Sequence, residues 1–123
     1  MKVTDEKNDQ VAKMVFATIY PLYLNRLVKN GRTEEELQQV IEWLTGFNPA
    51  TLKKLIDEKV TFKTFFERAT LHQNAHLIKG VVCGYRIEEI DDQFDTYRDC
   101  RRMEKLIDEL AKGRKMEKIL RES

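Results

Sequence analysis

Leu77-Ile78-Lys79-Gly80-Val81-Val82-Cys83-Gly84-Tyr85-Arg86-Ile87-Glu88-Glu89 is the stretch on whose reading the fold class of this 123-residue chain turns. Val81, Val82 and Ile87 favour a strand by propensity, whereas Leu77, Ile78, Val81, Val82 and Tyr85 also fit one face of a helix. A lone strand would have no partner in the rest of the chain, so the helical reading is preferred. On that reading Gly80 and Gly84 lie on one side, a packing device that lets another backbone approach, and Cys83 is a small buried residue between Val82 and Gly84. The remainder of the chain follows ordinary amphipathic patterns. Any functional segment is therefore to be sought here, at Gly80, Cys83, Gly84 and Arg86.

Outward from that stretch the start and stop signals are helical. Val11, Met14, Val15, Thr18, Ile19 and Leu22 recur at three- and four-residue spacing and predict a first helix. Pro21 lacks a donor for the carbonyl of Ala17, which predicts a kink or restart there before the helix ends at Asn30-Gly31. Thr33 with Glu36 forms a capping box that opens a second helix, burying Leu37, Val40, Ile41 and Leu44 and stopping at Gly46. Asn48-Pro49 starts a third, to about Glu58, with Leu52, Leu55 and Ile56 inward. Thr61 caps a short fourth that carries Phe62, Phe65 and Phe66. From about Glu88 to Gly113 a long helix is expected, with Phe94, Tyr97, Met103, Leu106, Ile107 and Leu110 on its inner face, and a last turn holds Met116, Ile119 and Leu120. The expectation is an all-α, single-domain orthogonal bundle of five to seven helices. Residues 1–8 are expected to be frayed and 9–123 to form the domain, with Leu44, Leu55, Phe65, Val81, Leu106 and Leu110 buried.

Lysine and arginine total 22 against 21 for aspartate and glutamate, a balance that favours neither nucleic acid nor a membrane surface. The imbalance is local: Arg86 to Asp99 carries a net charge of −4, and Arg101 to Ser123 a net of +3. No apolar run suits a signal peptide or a membrane span. Cys83 and Cys100 are too few for a disulfide framework, and reduced thiols in the cytoplasm are expected.

Several segments are collinear with a known pattern: Phe16-Ala17-Thr18-Ile19-Tyr20-Pro21-Leu22-Tyr23, Gly31-Arg32-Thr33, Trp43-Leu44-Thr45-Gly46, Gly80 through Glu88, Asp108 through Gly113 and Met116 through Arg121. Together they resemble the bacterial family known as domain of unknown function 2200, over roughly Met14 to Arg121. The resemblance implies a small cytoplasmic, mainly helical protein, and it carries no catalytic residue across. Gln93 stands where the family pattern has a proline, which bears on where the last long helix begins.

The acidic cluster is the sharpest chemical lead. Asp91-Asp92-Gln93-Phe94-Asp95 has the spelling of a diphosphate-binding motif, and carboxylates so spaced can hold magnesium. Glu88, Asp92 and Asp95, with Glu104, Asp108 and Glu109 as a second cluster, are the metal candidates of a nucleotide pyrophosphohydrolase-like enzyme. Against this stands a solvated helix face of Glu88, Asp91, Asp95 and Asp99 pointing outward, eased by Arg98, Arg101 and Arg102, and that plainer reading is preferred. His72 and His76 are spaced for a shared ion with Cys83 as a third ligand, but Asn74 as an N-cap would leave His72 in a loop. The basic tail from Lys112 to Arg121 has no aromatic residue for stacking, so nucleic-acid binding is disfavoured. The reading adopted is an interaction or scaffold module without catalytic site, cofactor or metal, with homo-oligomerisation left open. A metal-dependent hydrolase of phosphorylated small molecules is the alternative, and nucleic-acid binding through the basic C-terminus the third.

Overall fold

The structure is a computed structural model and describes residues 2–122. Met1 and Ser123, the outer ends of the ranges expected above, lie outside the described residues. Among the described residues, seven α-helices and one small hairpin follow in chain order: α1 (Asp5–Lys13), α2 (Phe16–Lys29), α3 (Glu34–Thr45), α4 (Pro49–Asp57), α5 (Phe62–Arg68), β1 (Val81–Val82), β2 (Tyr85–Arg86), α6 (Asp95–Ala111) and α7 (Met116–Ile119). Single 3₁₀ turns at Ala75–Leu77, Ile87–Glu89 and Asp92–Phe94 connect them.

The caps legible in the sequence do form. The Thr33 and Glu36 side chains answer each other's backbone amides at the head of α3, and Gly46 ends that helix at φ 75°. Asn48 accepts from the amide of Thr51 ahead of Pro49, and Thr61 from that of Thr64. The N-terminal helix differs from expectation. Residues 5–8 are helical rather than frayed, because the Thr4 hydroxyl caps the amide of Lys7. The break then comes at Met14-Val15 instead of at Pro21. Extended backbone there gains hydrogen bonds to the segment before α5: Phe62 donates to the Met14 carbonyl at 2.8 Å and Phe16 to the Val60 carbonyl at 3.0 Å. The new start rotates the inner face of α2 onto Phe16, Tyr20 and Leu27, leaving Leu22 60% exposed.

One cluster of buried side chains unites all these helices, and α6 lies at its centre, packed against α1, α2, α3, α5 and α7. Leu44, Leu55, Phe65, Leu106 and Leu110 are buried as expected. Phe16 stacks on Phe65 at 4.2 Å between ring centres and meets Phe62 edge-on at 5.8 Å. At the other end, buried Glu109 receives both Arg121 Nη atoms at 2.9 and 2.8 Å, and the Asn74 amide donates to the Arg121 carbonyl at 2.7 Å. Asn74 thus anchors the C-terminal segment and is no side-chain cap.

The helical reading of Gly80 to Ile87 is corrected. The segment is an antiparallel hairpin with Val82 opposite Tyr85 and Val81 opposite Arg86, so the strand finds its partner within the same segment. The two-residue loop, Cys83 at φ 53° and Gly84 at φ 83°, has the positive φ at both positions that matches the twist of a hairpin. Two residues per strand are marginal alone. Burial of Tyr85 and Ile87 fixes the hairpin to the core, with the Tyr85 ring edge-on to Tyr97 of α6 at 5.3 Å. Val81, expected in the core, is instead 52% exposed; Cys83 is exposed, and the two glycines shape turns rather than a helix–helix contact. The long helix begins at Asp95 rather than near Glu88, since Ile87–Glu89 and Asp92–Phe94 are separate 3₁₀ turns.

Candidate functional site

The hairpin stands between two hollows. On the β1 side a groove of about 330 Å³ is lined by Val81, Val82 and Cys83, by Tyr23 and Arg26 of α2, and by Glu104, Ile107, Asp108 and Lys112 of α6 and its end. On the β2 side a hollow of about 470 Å³ is lined by Tyr85, Arg86, Glu89, Ile90, Asp91, Gln93 and Phe94 with Lys2 and Val3.

The floor of the groove is a paired polar network. The Tyr23 hydroxyl donates to Glu104 Oε2 at 3.0 Å, and Glu104 also pairs with Arg101. The Arg101 guanidinium lies 4.6 Å over the Tyr97 ring, which joins the network to the hairpin through Tyr85. Burial pushes the Tyr23 phenol far up, and the neighbouring Cys100 and Glu104 add to the shift. Burial likewise raises the Cys100 thiol, with Glu104 contributing, so neither group is a ready nucleophile. At the mouth, Arg26 Nη2 lies 2.6 Å from Asp108 Oδ1 and Lys112 Nζ 3.0 Å from Oδ2. Burial alone would raise the Asp108 carboxyl; hydrogen bonds from Arg26 and Lys112 overcome it and hold the group below the ordinary range.

The acids singled out in the sequence are dispersed over these surfaces. Glu88 accepts from the Gly80 amide at 3.0 Å, which lowers its pKa, and lies 3.9 Å from Arg86. Asp92 pairs with Arg98, Asp95 accepts from the Thr96 amide, and Glu104 and Asp108 sit in the groove on the pairs just described. Among the described residues, no three His, Cys, Asp or Glu side chains gather in an arrangement that could hold a metal ion. Asp99 departs from its expected outward position. It is 5% exposed, 3.3 Å from Arg98 Nε and 3.1 Å from Arg102 Nη1, because it shares the inner face of α6. His72 stacks on Trp43 at 4.2 Å and accepts from the Asn74 amide, whereas His76 Nδ1 faces the Gln73 carbonyl. In the basic tail, Lys112 is engaged by Asp108 and Arg121 by Glu109, with Arg114 3.9 Å from the latter.

Sequence reasoning missed the groove itself. Tyr23 and Glu104 are 81 positions apart, and no local pattern joins them.

Helices packed around one core, with a short hairpin set against the central helix, define a small, mostly helical class of protein. The chain belongs to the family described as uncharacterized protein conserved in bacteria, DUF2200, whose model matches residues 10–121. Its fold is similar to the crystal structure of the uncharacterized protein SP1917, at a TM-score of 0.83 and 34% identity over 91% of each chain. No curated protein matches the chain. No helix is long and apolar enough to cross a membrane among the described residues.

Proposed function

We propose that the protein is a non-catalytic interaction module whose binding face is the β1 side of the hairpin and the groove beneath it. The observation that carries this reading is the contrast between rim and floor. Val81 is half exposed at the rim, while Tyr23, Glu104, Arg101, Asp108, Arg26 and Lys112 engage one another across the floor and mouth. A general base or a metal ligand needs an acceptor that is not already held by cations. An apolar residue exposed beside fixed polar groups suits recognition instead. Two free thiols, one of them exposed, support a reducing compartment, the cytoplasm.

The test is a photocrosslinking amino acid placed at Val81 or, as a control on α4, at exposed Lys53. A discrete adduct from position 81, whether with another protein or a second copy of this chain, is expected. Val81→Asp in the chain crosslinked from position 83 should abolish it without altering thermal stability. Equal crosslinking from positions 81 and 53 would overturn the reading. So would thermal stabilisation by magnesium or manganese that Asp92→Asn with Asp95→Asn removes, since metal bound only to the native state raises its stability.

A further inference from the structure

We draw no further inference here: the strongest candidate beyond the groove, the 470 Å³ hollow on the β2 side of the hairpin, carries nothing because nothing in the structure shows what covers it.

Discussion

Asp99 shares a face of α6 with Met103, Leu106 and Leu110, at steps of four, three and four residues, so its burial follows from helical periodicity once the helix is known. Burial raises its carboxyl pKa, although Arg98 and Arg102 pull the other way. The native state therefore holds that proton more tightly than the unfolded chain, and stability from this group falls as pH rises from 3.8 through the folded value. Asp99→Asn removes that slope. Denaturant titrations across the acid range should show the stability advantage of the natural chain over the variant shrinking as pH rises, and a difference independent of pH would refute the assignment. The Glu109–Arg121 pair makes a second residue-scale case. Arg121→Met leaves the buried Glu109 carboxylate with only the more distant Arg114, 3.9 Å away, and should cost about 3 kcal/mol, the lower end for a broken buried pair. Adding Glu109→Leu should recover most of that loss, and a double variant no more stable than the single one would count against it.

At the scale of elements, what was legible is what local chemistry decides. The heads of α3, α4 and α5 were marked by Thr33, Asn48 and Thr61, whose side chains reach amides three residues on. The hairpin was not legible for two reasons. Its apolar residues fit both periods, and Cys83-Gly84 is not the Asn-Gly pair that signals such a turn. The break at Met14-Val15 was hidden because its backbone partners, Val60 and Phe62, lie far along the chain. The turn makes a testable claim of its own. With φ at 53°, Cys83 occupies a conformation that Asn tolerates better, so Cys83→Asn should stabilise the protein by a few tenths of a kcal/mol. Gly84→Ala, at φ 83°, should destabilise it by about 1–2 kcal/mol. Were the alanine variant as stable as the natural chain in thermal melts, the hairpin geometry would be wrong.

Across the whole molecule, α2 is bound to its neighbours by two phenols that no local pattern linked to their partners. Tyr20 donates to Glu34 of α3 at 2.9 Å, and Tyr23 to Glu104 of α6 at 3.0 Å. Burial raises both: Tyr20 is pushed to about 12 from 10.0, and Tyr23 is raised as well. Above pH 10.0 the unfolded chain releases these protons while the native state keeps them, so their stabilising contribution is complete below that pH and is lost as pH climbs. For Tyr23, one retained proton corresponds to a slope of about 1.4 kcal/mol per pH unit. Tyr23→Phe also gives up the hydrogen bond to Glu104, but that loss is the same at every pH in this range, because Arg101 continues to hold the carboxylate. The two contributions are therefore separable by their pH dependence. Denaturant unfolding in steps above pH 10.0 should give a decline for the phenylalanine variant shallower than that of the natural chain by about this slope. Parallel declines would mean that the Tyr23 hydroxyl reaches solvent, and that α2 and α6 are not joined through the floor of the groove.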